Sequence, residues 1–206
     1  MGHAVDTSKG LPPHPERATL EGKNKFLGFW FFLGGETVLF ATFFGTFLSL
    51  RNGVADGPSA SEIFQLPLVF IMTMLLLTSS LTSVLAMYAM KKNKFKTMIA
   101  WMWVTVLLGL GFLGFEIFEF YEYSHHYGLG YTTSAFASSF YTLVGLHGAH
   151  VVFGLSWITC LLIRYSRSGI TLTNAPKFYV ASLYWHFIDV VWVFIFTVVY
   201  LMGIGG

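Results

Sequence analysis

Charged residues are scarce in this chain. Only 11% of its 206 residues are Asp, Glu, Lys or Arg, whereas 55% are hydrophobic and 18% are aromatic. A soluble domain usually carries about a quarter charged residues, and this chain has too few to cover a surface that faces water. The composition therefore excludes an ordinary soluble domain and predicts an integral membrane protein.

Cysteine is almost absent as well. The single cysteine, Cys160, excludes an intrachain disulfide and argues against a metal site built from cysteines. We expect Cys160 to be a small apolar packing residue, which is the usual role of a free cysteine. Residues 1–25 also lack the apolar core of a signal peptide, and their polar, proline-rich sequence predicts a cytoplasmic N-terminal arm.

Five segments are long and apolar enough to cross a membrane. A hydrocarbon core of about 30 Å needs about 20 residues of helix, and only helices or closed barrels can span it. These segments are too long and too uniformly apolar to be barrel strands. The sequence therefore predicts an all-α transmembrane domain over residues 26–206, with five helices at approximately 26–50, 64–90, 97–123, 135–164 and 177–204.

Basic residues are sorted to one side of this five-pass topology. The N-terminal arm, the loop after the second span and the loop after the fourth span hold eleven of the 12 lysines and arginines, and Arg51 alone lies on the other side. Because cytoplasmic loops are enriched in Lys and Arg, we expect a cytoplasmic N-terminus and an external C-terminus. We find no internal repeat of the kind that characterises inverted-repeat transporters.

Small and hydroxylated residues recur within the spans. Glycines such as Gly109, Gly148 and Gly154 let membrane helices approach closely, and this packing supplies much of their association energy. The run TSSLTS at 78–83 places hydroxyl groups in the second span, where they can bond across helices or back onto their own turn. Both features predict a compact helical bundle.

Seven Glu, His and Asp residues lie well inside the spans, and Glu122 lies at the membrane interface. At 1.5 Å per residue, five of them fall in one layer near the middle of the membrane, and two glutamates lie nearer the outside. Such groups are costly in a membrane unless they face protein, water or each other. The candidate site residues are Glu36, Glu116, Glu119, His147, His150, His186 and Asp189.

Three interpretations of these residues compete. ExxE, HxxH and HxxD on the last three helices resemble the ligand set of a di-iron bundle, and hence a stand-alone di-metal enzyme, although such bundles use ExxH. Intramembrane Asp, Glu and His are also typical of a proton path in a small transporter, although few titratable groups continue it towards the cytoplasm. In the third interpretation the groups pair across helices and fix the bundle: Glu36 with His147 or His150, and His186 with Asp189.

Three segments resemble a known family. FLGFWFFLGGETVLFATFF at 26–44, GLHGAHVVFG at 145–154 and YWHFIDVVWVFIF at 184–196 resemble the signature segments of subunit III of haem-copper terminal oxidases. The resemblance covers all five spans and is to the short form of the family, which lacks two helices of the seven-helix form. Those helices form one arm of a lipid cleft, so the resemblance implies that lipid here is held with help from a neighbouring subunit. Within the family, LTSSLTSV and YLMGIGG are most similar to the caa3-type cytochrome c oxidase of Gram-positive bacteria. An aa3-type menaquinol oxidase is the alternative.

The resemblance implies an accessory, non-catalytic subunit of a proton-pumping cytochrome c oxidase in a bacterial plasma membrane. It implies that this chain binds no haem, copper or other metal, and that a-type haem and copper lie in subunits I and II. Subunit I is the implied main partner, followed by subunits II and IV and membrane lipids, without nucleic acid. The family's glutamate falls on Glu36, its HxxH on His147 and His150, and its WHFxD on Trp185, His186 and Asp189. This favours the structural interpretation.

Overall fold

Five long helices make up most of the described chain. The computed structural model describes residues 12, 14–54 and 64–204, and every regular element among them is helical. The helices are α1 (Leu20–Leu50), α2 (Leu66–Lys91), α3 (Phe95–His125), α4 (Ala135–Tyr165) and α5 (Ala175–Ile195), and α5 continues through a π-helical segment (Phe196–Leu201) and a last turn (Met202–Ile204). All five are long and apolar enough to cross a membrane. The prediction of a five-helix membrane bundle is confirmed.

Helix α1 begins at Leu20 and not at the predicted Phe26. The Thr19 hydroxyl caps it by accepting a hydrogen bond of 3.0 Å from the Gly22 amide, and Glu21 pairs with Lys25 one turn later. The sequence prediction marked the start of the apolar segment, whereas the cap determines where the helix starts. Residues 1–11 and 13 of the predicted arm lie outside the described residues.

The connection between α2 and α3 is a tight turn. Asn93 adopts a left-handed conformation with φ of 55°. The Asn93 and Lys94 amides donate to the Met90 and Ala89 carbonyls at 3.0 and 2.9 Å, which closes the end of α2 in a Schellman arrangement. Helix α3 therefore returns directly alongside α2, and the two helices make the most extensive helix contact among the described residues.

Helices α2, α3, α4 and α5 form a ring in which each packs against its two neighbours, and α1 lies outside the ring against α4 and α5. Trp185 and Trp192 of α5 are fully buried in the middle of the ring. Gly109 of α3 makes room for the first indole, because a Cβ atom at position 109 would lie 2.8 Å from Cη2 of Trp185 and 2.7 Å from a Leu155 methyl group. Helix α5, which carries His186 and Asp189, thus touches all four other helices.

Large apolar side chains cover the outer surface of the bundle. Phe31, Leu107 and Ile117 are each more than half exposed, as expected for a surface that faces lipid instead of water. Cys160 is also exposed, on α4. The expectation that it packs inside was wrong, because residue type alone does not determine which face of an apolar helix turns outward.

Candidate functional site: the polar residues inside the bundle

Glu36 of α1 and His150 of α4 form a direct pair between helices. The carboxylate atom Oε2 of Glu36 lies 3.0 Å from Nε2 of His150, and each side chain is only 16% exposed. The Phe40 ring packs against the imidazole with its centroid 5.0 Å away. The sequence left His147 and His150 open as partners of Glu36, and the structure selects His150.

The second nitrogen of His150 determines the chemistry of this pair. Nδ1 lies 2.7 Å from the Leu146 carbonyl oxygen, and because a carbonyl only accepts, Nδ1 carries a hydrogen. The contact between Nε2 and Glu36 then holds one further proton, on either the imidazole or the carboxyl. In both cases the pair has no net charge, which lowers the cost of keeping two ionisable groups inside a membrane.

His147 points away from His150 and into the middle of the bundle. Its imidazole is fully buried, and Nε2 lies 3.3 Å from the Ile188 carbonyl oxygen of α5. The Phe112 and Trp192 rings surround it, with centroids 5.8 and 5.1 Å away. Nδ1 has no hydrogen-bond partner among the described residues. The two histidines of HxxH therefore join α4 to different helices.

The predicted pairing of His186 with Asp189 is not formed by a hydrogen bond in the structure. Nδ1 of His186 instead bonds the Ser80 hydroxyl of α2 at 2.7 Å. Asp189 is 4% exposed, and neither of its carboxyl oxygens has a hydrogen-bond partner among the described residues. Side chains three residues apart point in directions that differ by about 60° around the helix axis. His186 and Asp189 can therefore have different surroundings although they lie on one face of α5.

The hydroxyl run of α2 bonds to two other helices. Besides the Ser80–His186 bond, three hydrogen bonds from this run join α2 to α5 or α3: Trp185 Nε1 to Ser79 Oγ at 2.9 Å, Ser83 Oγ with Ser182 Oγ at 2.7 Å, and Thr82 Oγ1 with Thr105 Oγ1 at 2.8 Å. Thr73, which precedes the run on α2, accepts a further bond from Trp192 Nε1 at 3.1 Å. The prediction that this run bonds across helices is confirmed. The sequence analysis missed the indole donors, although a buried tryptophan usually needs a partner for its N–H.

The two glutamates of α3 have different surroundings. Both carboxyl oxygens of Glu119 accept hydrogen bonds, from the hydroxyls of Tyr123 at 2.7 Å and Tyr200 at 2.9 Å. Tyr200 belongs to the π-helical segment of α5, a local widening of the kind that often occurs at functional positions. Glu116 lies against the backbone of α4, where a Cβ atom at Gly148 would be 2.5 Å from its Oε1, and it has no hydrogen-bond partner among the described residues.

These contacts divide the candidate residues into separate groups. The di-metal ligand set is not assembled, because His150 bonds Glu36, His186 bonds Ser80 and Glu119 bonds two tyrosines. In the described ranges, no group of three or more His, Cys, Asp or Glu residues is placed to hold a metal ion. These hydrogen bonds instead join α1 to α4, α2 to α5 and α3 to α5.

Comparison with known proteins identifies the family. The family described as "Cytochrome c oxidase subunit III" matches residues 17–204. The chain belongs to the cytochrome c oxidase subunit III family. It is 80% identical, over 100% of both chains, to "Cytochrome c oxidase subunit 3" of Alkalihalophilus pseudofirmus, and 66% identical, over 97% of both chains, to the protein of that name in Bacillus subtilis. "Quinol oxidase subunit 3" of Bacillus subtilis is 48% identical over 100% of both chains.

The resemblance seen in the sequence is therefore confirmed. The full-length similarity supports subunit III of a cytochrome c oxidase, and the relatives named for quinol oxidases are more distant. Together with the five spanning helices, it indicates a multi-pass protein of a bacterial plasma membrane. As a subunit of an oxidase complex, the chain has partner subunits.

Proposed function

We propose that this chain is a non-catalytic subunit of a proton-pumping caa3-type oxidase. It packs mainly against subunit I, supports the structure of subunit I and its supply of protons, and also meets subunits II and IV and membrane lipids. The a-type haem and copper belong to subunits I and II. The candidate residues within this chain act as structural contacts between its own helices.

One observation carries this proposal. Five of the seven candidate residues form local hydrogen bonds to another helix, as in Glu36 with His150 and His186 with Ser80. A di-metal enzyme would need its carboxylates and imidazoles to converge on one point, and a transporter would need a continuous polar path. Local pairs between helices instead hold the helices in register, which suits a supporting subunit.

The proposal predicts what purifies with this chain. A tagged chain, extracted in mild detergent, should bring down larger partner subunits, and its reduced-minus-oxidised visible spectrum should show a-type haem. A c-type signal in the subunit II partner should accompany it, because the caa3-type enzyme carries a cytochrome c domain there. Mass spectrometry identifies the partners and metal analysis locates iron and copper.

Other results of this purification would contradict the proposal. An a-type signal without c-type haem would favour the menaquinol oxidase. Stoichiometric iron on the separated chain would favour the di-metal enzyme, whereas a colourless chain that purifies alone and carries protons across liposomes would favour the transporter. The matched control is the same purification of an untagged chain.

We also propose that residues 1–25 form a cytoplasmic arm, that residues 26–206 form the membrane domain, and that the C-terminus is external. Helices that alternate in direction place Lys25, Lys91, Arg164 and Lys177 at the same end of the bundle. Cytoplasmic ends of membrane bundles are rich in such residues. This end therefore faces the cytoplasm.

Single cysteines test this orientation in intact cells. In a Cys160→Ser background, we expect a membrane-impermeant maleimide to label His126→Cys, in the α3–α4 connection, and not Lys94→Cys, in the α2–α3 turn. Both positions are exposed, so accessibility within the chain is matched. Lysed cells should show labelling at both positions. Labelling of Lys94→Cys alone in intact cells would reverse the orientation.

A further inference from the structure

A groove runs between α2 and α5 on the surface of the bundle. Its volume is about 300 Å³, and its lining includes Val84, Tyr88 and Lys91 of α2 and Leu183 and His186 of α5. Most of the lining is apolar, with Lys91 at one end. The imidazole of His186 is the polar group that lies deepest along the helices.

His186 is incompletely bonded within this chain. Nδ1 is well bonded to Ser80 at 2.7 Å, but Nε2 has only the Ser182 hydroxyl at 3.5 Å, at the limit of a hydrogen bond. That hydroxyl is already bonded to Ser83 at 2.7 Å. The imidazole is also partly exposed to the groove. By contrast, His150 has short bonds at both nitrogens, of 2.7 and 3.0 Å.

The depth of His186 restricts what can complete its bonding. Ser80, its partner, lies eleven residues before Lys91 at the end of α2, which corresponds to about 16 Å along the helix. This is near the middle of a hydrocarbon core of about 30 Å. Lipid headgroups lie at the membrane surface, and acyl chains have no hydrogen-bonding groups at this depth. Of the lipid and protein that can lie against the groove, only protein therefore offers a side chain that can bond Nε2.

We propose that the α2/α5 groove docks a transmembrane helix of another oxidase subunit, which places a hydroxyl or amide side chain against Nε2 of His186. Uncharged polar side chains bond between membrane helices in this way, and they cost less to insert than charged ones. This inference rests on the proposal that the chain packs against a partner subunit, and it assigns one face to that contact.

The surface beside the groove has the form that a helix contact needs. Leu77, Leu81, Val84 and Tyr88 are all exposed on α2, and their spacing places them in one stripe along the helix. Val190 of α5, one turn after His186, is exposed as well. The stripe spans about 16 Å, or about three helical turns, so a partner helix lying along it passes the level of Ser80 and His186.

Photo-crosslinking in the assembled oxidase tests the docking face. A benzophenone amino acid replaces Val84, which is 50% exposed and lines the groove, or Val152 of α4, which is 49% exposed. The two positions are thus matched, since both hold valine and both are about half exposed. After irradiation of membranes, we expect Val84 to form an adduct with a larger polypeptide that mass spectrometry identifies as an oxidase subunit, and Val152 to react with lipid.

Several outcomes would overturn the inference. Reaction of the Val84 probe with lipid alone would mean that acyl chains fill the groove, and an adduct of twice the chain mass would mean that a second copy does. Equal adducts with a partner subunit at both positions would show no preference for this face. If these results came with normal co-purification of the oxidase subunits, the proposed function would stand and the docking face would be wrong. Failure of the wild-type chain to co-purify with oxidase subunits would instead refute the proposed function.

Substitutions of His186 test the hydrogen bond itself. We expect His186→Leu to weaken retention of the chain in the detergent-solubilised complex about tenfold, the effect of one lost hydrogen bond between membrane helices. His186→Gln, which keeps a donor and an acceptor, should restore most of the retention. Retention is measured per folded chain, so that a lower yield of the His186→Leu variant is not mistaken for weaker binding. Equal retention of wild type and both variants would contradict a bond to His186.

Discussion

Gly109→Ala is expected to destabilise the bundle by about 1–3 kcal/mol, the usual cost of forcing extra atoms into a packed core. The new methyl group would lie 2.8 Å from Cη2 of Trp185 and 2.7 Å from Cδ2 of Leu155. The indole cannot easily retreat, because its Nε1 is bonded to Ser79. The measurement is the temperature at which purified oxidase releases this subunit or loses its folded structure.

Gly114→Ala is the matched control on the same helix. A Cβ atom at position 114 meets nothing within 4 Å, and alanine favours a helix over glycine by about 1 kcal/mol. We expect this variant to be as stable as the wild type or slightly more stable. Equal stability of the two variants would mean that α3 and α5 do not approach each other as closely as the structure shows.

Glu36→Leu is expected to loosen α1 from the ring. The substitution leaves Nε2 of His150 without its partner in a mostly buried position, at a cost of about 1–3 kcal/mol. Helix α1 is sensitive to this loss because it lies outside the ring and packs mainly against α4 and α5. Thermal release of the subunit and protease sensitivity of α1 report the effect.

Glu36→Gln separates hydrogen bonding from charge. The amide nitrogen can donate to Nε2 while Nδ1 keeps its bond to the Leu146 carbonyl. We expect this variant to assemble normally and to be nearly as stable as the wild type. A double-mutant cycle of Glu36→Leu with His150→Leu then isolates the coupling between the two residues. Equal losses in the leucine and glutamine variants, or no coupling, would contradict the pair.

The spanning helices were predictable from the sequence because their signal is local. A run of apolar residues long enough to cross the membrane leaves few alternatives to a helix. Four of the five helices begin and end within about two residues of the prediction when α5 is taken with its π-helical segment and last turn. The start of α1 was misplaced, because the polar first turns depend on the Thr19 cap and the Glu21–Lys25 pair, not on hydropathy.

The partners of the polar residues were only partly predictable. Their cost in a membrane indicated that Glu36 and the histidines need partners. The sequence favoured a pair of His186 with Asp189 because the two residues share a helix face. In the structure, Nδ1 of His186 bonds Ser80 of another helix instead. The bond of Glu119 to Tyr200 was missed because it joins α3 to a π-helical segment near the end of α5, far away in the chain. Its bond to Tyr123 was also missed, although the two residues lie four apart on α3, a spacing that the sequence shows.

By itself, the sequence determined that this protein is a five-helix membrane subunit of the oxidase subunit III family, since apolar length and family motifs are properties of contiguous segments. Only the tertiary structure decided that His150 and not His147 meets Glu36, that Cys160 faces outward and that His186 lies in the α2/α5 groove. The physical reason is that the rotation of each helix about its axis follows from the summed packing of all its neighbours, and apolar residues all round a membrane helix carry little information about that rotation.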